Sequence, residues 1–164
     1  MRIAIIAILS AATVSFAYAA SAAPASVEVK IGPELQTKAA KTYGVHEINE
    51  LAGELRKSVE NTLAKTHAYD DSRIQLTLVD AVPNRPTIKQ MGDRPGLSSR
   101  SFGIGGAKIA GEIVAADGKV TPVGFKWYET DIRWEHTSAT WSDAQRTFDQ
   151  FARKLSRGEA IAAR

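Results

Sequence analysis

The amino-acid sequence predicts an α+β fold, a two-layer sandwich in which a four-stranded, mostly antiparallel sheet carries two helices on one face. Three observations predict it. Several short segments alternate between apolar and polar residues, which is the period of a strand. Two longer segments repeat apolar residues every three or four positions, as a helix with one buried stripe does. The segments follow the order β-α-β-β-β-α without an internal repeat, an order typical of two layers around one core.

The N-terminus has the features of a secretory signal peptide. One basic residue, Arg2, precedes an almost purely apolar run over residues 3–16, and the small residues "AYA" at 17–19 form a cleavage site. The run is shorter than the roughly 20 residues that a membrane-spanning helix needs. We therefore expect residues 1–19 to be removed, with cleavage after Ala22 or Ala23 as alternatives. The mature protein is expected in the periplasm, without a transmembrane segment.

Composition excludes several classes of function. The sequence has no cysteine, which excludes disulfides, thiolate metal ligands, a cysteine nucleophile and lipid attachment at a cysteine. Without the leader, the 21 basic residues lose Arg2 and the 18 acidic residues lose none, which leaves a net charge of about +2. That charge is too small for a nucleic-acid-binding surface. We expect one domain at 24–158 and a short tail at 159–164.

The first half of the mature chain predicts a strand, a long helix and a second strand. Alternation predicts the first strand at Val27, Val29 and Ile31. Residues 33–44 fit a short helix or irregular chain equally well. An apolar stripe over residues 45–63 predicts a helix of about five or six turns. Gly53 lies near this stripe, and we expect it to permit close packing on a neighbouring element. "RIQLTLVDA" predicts the second strand, which prolines end.

The glycine-rich stretch "RSFGIGGAKIAGEI" at residues 100–113 begins the third strand. It matches neither the dinucleotide-binding loop nor the P-loop, and it leads into a strand rather than a helix, so we expect no phosphate site and no cofactor. Its smallest side chains alternate onto one face, with Gly103 and Gly105 among them. We expect this trough to be filled by the protein's own aromatic rings, namely Phe125 and Trp127 of the neighbouring strand and the aromatic stripe of the last helix, including Phe148 and Phe151.

"ADGKV" predicts a hairpin between the third and fourth strands. A two-residue turn would set apolar residues opposite charged ones. A three-residue loop at 116–118, with Gly118 in the left-handed conformation, sets apolar residues opposite small or apolar ones, and a slip of one residue exchanges the two faces. We therefore predict the three-residue loop, which pairs Val123, Phe125 and Trp127 with Gly111, Ile109 and Ala107.

"TWSDAQRTFDQFARKLSRG" predicts the last helix. Thr140 and Asp143 have the spacing of a capping box at its start, and Gly158 is a suitable end. Its apolar stripe consists of Trp141, Ala144, Phe148, Phe151 and Leu155.

The segment between Pro83 and Ser99 is the first candidate functional region. Loops of this length are uncommon in compact domains and are often functional. It mixes apolar residues with basic ones, and we take as candidate binding residues Arg85, Lys89, Arg94 and Arg100. Such a mixture suits an envelope protein or an anionic lipid or glycan surface. The alternative is a structural cover over the sheet.

"WYETDIRWEH" is the second candidate region, because Glu129, Asp131 and His136 lie close together in the sequence. Two carboxylates and a histidine are suited to acid–base chemistry or metal binding, but the spacing matches no established metal site, so we predict none. If the segment is extended, Glu129 and Asp131 share one face.

The signal peptide, "LAGELRKSVENTLAK", "LTLVDAVPN", the glycine-rich strand running into "ADGKV", "GFKWYETDI" and "TWSDAQRTFDQFARKL" together resemble a group of exported proteobacterial proteins of unknown function. That resemblance implies no activity and assigns no functional residue. More loosely, the element order is similar to that of small α/β modules in outer-membrane assembly factors. We therefore expect a periplasmic, non-catalytic binding or envelope-assembly module of unassigned oligomeric state. The alternative is a small periplasmic hydrolase or metal-binding enzyme that uses Glu129, Asp131 and His136.

Overall fold

A computed structural model describes residues 25–133 and 139–159 of the chain. Four strands form one sheet in chain order, and they are β1 (Ser26–Ile31), β2 (Arg73–Val82), β3 (Gly106–Val114) and β4 (Val120–Tyr128). β1 is parallel to β2, whereas β2, β3 and β4 are successively antiparallel. The predicted α+β class with a mostly antiparallel sheet is confirmed.

Two long helices lie side by side on one face of this sheet, as predicted. They are α2 (Val45–Thr66), which packs on β1, and α4 (Ser142–Ser156), which packs on β3 and β4. Their apolar stripes close the core against alternate residues of the strands. The largest fully buried side chains are Phe148, Phe151, Leu35, Ile48, Leu51, Leu55, Leu63, Ile74, Leu76, Leu78 and Ile109. The other face of the sheet carries polar residues such as Lys30, Gln75 and Lys108.

Two short helices complete the described chain. Residues 33–44, which the sequence left undecided, form α1 (Pro33–Lys38) and a π-helical turn (Ala39–Tyr43). Leu35 is fully buried, so tertiary packing holds a helix that is too short to be stable alone. The segment between β2 and β3 contains α3 (Ile88–Asp93), which begins with a capping box between Thr87 and Gln90.

The β3–β4 hairpin has the predicted register. Ala107, Ile109 and Gly111 pair with Trp127, Phe125 and Val123 respectively. The Ala115 N–H donates to the Lys119 carbonyl at 3.0 Å and closes a three-residue loop, in which Gly118 has a φ of +83°. The pairing of apolar with apolar side chains therefore determines which face of each strand meets the helices.

The glycine-rich stretch differs in part from the prediction. The strand begins only at Gly106, so Gly103 and Gly105 precede it. The prediction that aromatic rings of the last helix cover these glycines was wrong at Gly106 and Gly111, where backbone atoms of the same chain lie closest. Apart from its chain neighbours, no described atom lies within 4 Å of a Cβ on Gly103. A Cβ on Gly106 would lie 2.3 Å from the Trp127 carbonyl oxygen, and one on Gly111 would lie 2.2 Å from the Gln75 carbonyl oxygen. Phe148 and Phe151 are buried in the core.

Two local predictions were wrong. Apart from its chain neighbours and the backbone of its own helix, no described atom lies within 4 Å of the Cβ position of Gly53, so this glycine does not serve packing against another element of the described chain. The capping box at Thr140 and Asp143 is absent, because α4 begins at Ser142 with Trp141 as its N-cap. The Asp143 carboxylate instead accepts hydrogen bonds from another segment.

Candidate functional site

The exposed apolar side chains concentrate at one end of the molecule. This end, here called the loop end, is where β2 and β4 finish and β3 begins. It includes the segment of residues 83–105 between β2 and β3. Ile88 is 79% exposed, Phe102 45% and Ile104 43%. Ile132, beyond the end of β4, is 51% exposed. Large apolar side chains grouped on a surface are typical of an interaction site.

A buried polar cluster of Asn84, Gly105 and Asp143 holds this segment in place. Both Asn84 and Asp143 are almost fully buried. The Asn84 side-chain amide and the Gly105 N–H, the latter at 2.9 Å, both donate to Asp143 Oδ2. The Asp143 N–H donates to Asn84 Oδ1 at 3.0 Å. Because buried hydrogen bonds of a charged group are strong, this Asn84–Asp143 cluster joins the two ends of the segment to the start of α4.

Backbone hydrogen bonds reinforce the same junction. The Asn84 N–H donates to the Thr140 carbonyl at 2.7 Å, and the Gly103 N–H donates to the Asn84 carbonyl at 2.7 Å. Asp143 Oδ1 accepts no hydrogen bond from the described residues, but it lies 3.9 Å from Arg146 Nη1. Both ends of the segment are therefore held in place by hydrogen bonds, and its central residues lie between these two fixed ends, which form the base of the segment.

The four predicted binding residues all lie on this segment but differ in their surroundings. Arg85 donates to the Ser99 carbonyl at 2.8 Å and lies 6.0 Å from the centre of the Phe102 ring. Lys89 forms an ion pair with Asp93 at 2.7 Å. Arg94 and Arg100 are exposed. Arg85 therefore stabilises the loop, while Arg94 and Arg100 are the better placed to meet a partner.

Two depressions lie on either side of Arg85 and Pro86. One of about 240 Å³ is lined by residues that include Arg85, Gln90, Arg94 and Phe102. The other, of about 510 Å³, lies between α3 and the start of α2 and carries apolar and acidic side chains. Its lining residues include Glu47, Glu50, Glu54, Leu51, Ile88, Met91 and Trp141, together with His46 and Arg85. The loop end thus combines a basic side and an acidic side around apolar residues.

Glu47 connects α2 to both neighbouring segments in the acidic depression. Its Oε1 accepts from the Ile88 N–H at 3.2 Å, and its Oε2 accepts from the Trp141 indole N–H at 3.2 Å. The Trp141 ring also meets Tyr43 edge-on, with 5.8 Å between ring centres. These contacts fix the start of α3 against α2.

A titratable network that the sequence analysis did not identify lies where β2 is irregular. Lys38 Nζ donates to Asp80 Oδ1, and the Tyr128 hydroxyl donates to Asp80 Oδ2, both at 2.7 Å. Burial opposes ionisation of Asp80, but these two hydrogen bonds and the Lys38 charge outweigh it and lower the pKa of Asp80. The hydrogen bond to Asp80 raises the pKa of Lys38. Burial, together with the Asp80 carboxylate, raises the pKa of Tyr128 well above its usual value.

Of the predicted acid–base cluster, the structure describes the two carboxylates, Glu129 and Asp131. β4 ends at Tyr128, so Glu129 and Asp131 do not lie on one extended face. Glu129 accepts from the backbone N–H groups of Thr130 and Asp131, and Asp131 accepts from the Arg133 guanidinium. His136 lies outside the described residues. Both carboxylates are thus occupied in stabilising the turn after β4.

Within residues 25–133 and 139–159, no group of three or more histidine, aspartate or glutamate side chains is arranged to hold a metal ion. In the same ranges, no helix combines the length and the apolar character that crossing a membrane requires.

The residues that the sequence analysis missed carried weak signals. Asp80 interrupts an apolar run at the end of "LTLVDA", where the pairing register shifts between Leu78 and Asp80. A charged residue in such a run predicts either a bulge or a buried ion pair. Asn84 and Asp143 are 59 residues apart, and nothing local in the sequence connects them.

No protein family matches this chain, and no curated protein matches it. Among solved structures, a minor lipoprotein from Acinetobacter baumannii, determined at 2.35 Å, is similar at 12% sequence identity. The likeness covers 85% of this chain and 96% of that chain, with a TM-score of 0.36. At this TM-score it carries no argument about function, and the resemblance to exported proteobacterial proteins stays a prediction.

Proposed function

We propose that the mature protein is a periplasmic binding module without catalytic activity, and that its loop end docks an acidic segment of a partner protein of the bacterial envelope. The observation that carries this proposal is the grouping of exposed Ile88, Phe102 and Ile104 with exposed Arg94 and Arg100 on one segment. Arginine and aromatic residues are enriched in protein interfaces and supply much of their binding energy.

The fixed base of the segment supports a binding role. The Asn84–Asp143 cluster and the Arg85–Ser99 hydrogen bond order the backbone before a partner arrives. A loop that is already ordered loses less conformational entropy on binding, so its contacts contribute more to affinity.

The mixed charge of the loop end favours a protein over a membrane surface. Glu47, Glu50 and Glu54 line the depression beside Ile88. An anionic lipid surface would repel these carboxylates, because its potential acts on every charge within about a Debye length. A protein partner can place acidic groups opposite the arginines and other groups opposite the glutamates.

Charge reversal on the basic side tests the proposal. The mature protein is used to capture partners from an envelope extract at low and high salt, and captured proteins are quantified by mass spectrometry. For the Arg94→Glu and Arg100→Glu variants we expect the amount of the specific partner to fall about tenfold or more, since a close charge pair becomes repulsive. The control is Lys119→Glu, at the opposite end of the sheet.

Three results would contradict the proposal. These are unchanged capture by Arg94→Glu, an equal loss in Lys119→Glu, and flotation of the mature protein with phosphatidylglycerol vesicles but not with phosphatidylcholine vesicles. The last result would assign the loop end to an anionic membrane surface instead.

A further inference from the structure

The outer edge of β1 offers backbone hydrogen-bonding groups to another strand. β1 stands at one edge of the sheet, and no described strand lies beyond it. The Ser26 N–H donates to the Ser72 carbonyl, and the Gly32 N–H donates to the Leu78 carbonyl. The backbone N–H and C=O groups of the even-numbered residues of β1 therefore point towards β2. Because direction alternates along a strand, the N–H and C=O groups of Val27, Val29 and Ile31 point outward. Among the described residues, the Ile31 carbonyl accepts a hydrogen bond from the Gln36 side chain at 3.0 Å.

We propose that β1 pairs with β1 of a second copy of this chain, antiparallel and centred on Val29, so that two four-stranded sheets become one continuous sheet. Val29 of one copy then faces Val29 of the other, and Val27 faces Ile31. The backbone N–H and C=O groups of these three residues point away from β2, so each residue forms a hydrogen-bonded pair across the interface. A two-fold arrangement of this kind uses the same surface on both copies and is the commonest form of protein dimer.

Charge complementarity selects this register. Glu28 and Lys30 are exposed side chains on the free face of β1, where they form an ion pair with each other at 3.6 Å. Centred on Val29, the pairing sets Glu28 of each copy directly opposite Lys30 of the other, in the closely spaced non-hydrogen-bonded positions. Centring on residue 28 would set glutamate against glutamate, and centring on residue 30 would set lysine against lysine. An intermediate register would set a residue of the helix-covered face opposite a residue of the free face, so the alternation of side chains excludes it.

Gly53 gives independent support for a second copy. It lies in a groove of about 450 Å³ between β1 and α2, lined also by Val29, Ile31, Ala52 and Arg56. The other flank of α2 faces α4, where Glu54 and Ser58 bond to Gln145 and Asp149. A glycine within a helix costs up to about 1 kcal/mol, and no described contact requires this one. Pairing at Val29 brings the two α2 helices together on this flank, where a missing side chain permits close approach.

The opposite edge of the sheet is less suited to pairing. β4 contains Pro122, which has no N–H to donate and is tolerated at an edge strand because it interrupts pairing there. An extended segment of another protein could also use the β1 edge, and the charge-swap variants below distinguish it from a second copy.

Charge variants test the pairing by sedimentation velocity over a range of protein concentrations. We expect the wild type to dimerise, and Glu28→Lys or Lys30→Glu to weaken dimerisation about tenfold or more, because each sets like charges opposite one another twice. The double variant Glu28→Lys/Lys30→Glu restores opposite charges and is expected to dimerise as the wild type does. Lys126→Glu, on the free face of β4, is the control and is expected to leave the dimer intact.

A single cysteine tests the geometry, because the chain has none. Hydrogen-bonded antiparallel residues have Cα atoms about 5.5 Å apart, within the range that a disulfide spans. We therefore expect Val29→Cys to form a disulfide-linked dimer under mild oxidation and Thr121→Cys on β4 to form none. Gly53→Leu is expected to abolish dimerisation while the monomer stays folded.

The proposal is overturned if the wild type is monomeric at every concentration, or if the double charge variant fails to recover the dimer. Equal crosslinking at residues 29 and 121 would also overturn it. A dimer that survives both single charge variants would place the interface elsewhere.

Discussion

Glycine serves opposite purposes at two positions of this chain. Gly106 has a φ of +150°, and an added Cβ would lie 2.3 Å from the Trp127 carbonyl oxygen and 2.7 Å from the Tyr128 ring. Gly53 lies within α2, and its Cβ position has no described atom within 4 Å other than those of its chain neighbours and its own helix backbone. The sequence alone did not distinguish them, since both are glycines within a regular element. How closely another segment approaches a glycine depends on the tertiary structure, which the local sequence does not show.

Alanine at these two positions is expected to change stability in opposite directions. Gly53→Ala should raise the free energy of unfolding by up to about 1 kcal/mol, through better helix propensity. Gly106→Ala should lower it by about 1–3 kcal/mol or more, because the backbone and Tyr128 must move. Urea denaturation, carried out in the Glu28→Lys background so that association does not contribute, measures both. A stabilised Gly106→Ala variant would contradict the structure.

Asp143 accepts two buried hydrogen bonds at the base of the loop end. Asp143→Ala leaves the Asn84 amide and the Gly105 N–H without their acceptor, and a buried unpaired donor costs about 1–3 kcal/mol. We expect a loss of about 2–5 kcal/mol in chemical denaturation. Asn84→Ala should cost a similar amount, and the double variant should cost less than the sum, since both remove one cluster. Additive losses would show that the two residues act separately.

Among the elements, those defined by local pattern were predictable and those defined by distant contacts were not. The helix stripes of α2 and α4 and the loop at 116–118 follow from periodicity and from one left-handed glycine. α1 and its π-helical turn depend on burial of Leu35 under the rest of the fold. The start of α4 was predicted wrongly because Asp143 turns to Asn84, which no local rule anticipates.

The Lys38–Asp80–Tyr128 network ties α1 and β4 to the irregular part of β2 and should make stability depend on pH. The pKa of Asp80 is lower in the fold than its ordinary value of 3.8, so its contribution is present above that pH and is lost as the pH falls through the folded-state pKa. The pKa of Lys38 is raised above 10.5, so its contribution is complete below that pH and is lost as the pH rises further. The pKa of Tyr128 is raised above its ordinary value of 10.0, so its contribution to stability is likewise complete below that pH and is lost as the pH rises further.

Asp80→Asn is the variant that isolates this effect. We expect it to be less stable than the wild type at pH 6, with the difference narrowing as the pH falls below 4, because the wild type then loses the same charge. Urea denaturation between pH 2.5 and pH 7 measures this. Asp93→Asn, which removes an exposed ion pair with Lys89, is the control and should change stability little at any pH. A constant difference for Asp80→Asn at all pH values would contradict the ionic character of the network.

At the scale of the whole molecule, the two ends of the sheet differ in character. One end carries the short turn between β3 and β4, and the other carries α1, the segment of residues 83–105 and the turn after β4. Length and mixed composition identified that segment as a candidate from the sequence. Its order could not be predicted, because the Asn84–Asp143 cluster joins residues 59 positions apart. Which of its basic residues are free for a partner likewise depends on contacts such as Arg85 with Ser99.

The most direct test of the binding role compares the two ends of the molecule in intact cells. A photo-crosslinking amino acid is placed at Phe102 on the loop end or at Val120 on the opposite end, positions of similar exposure. The proposed function predicts a discrete crosslinked protein from position 102 that disappears when Arg94→Glu is added, and none from position 120. Crosslinking from position 120 alone, or a product at 102 that Arg94→Glu leaves unchanged, would contradict it.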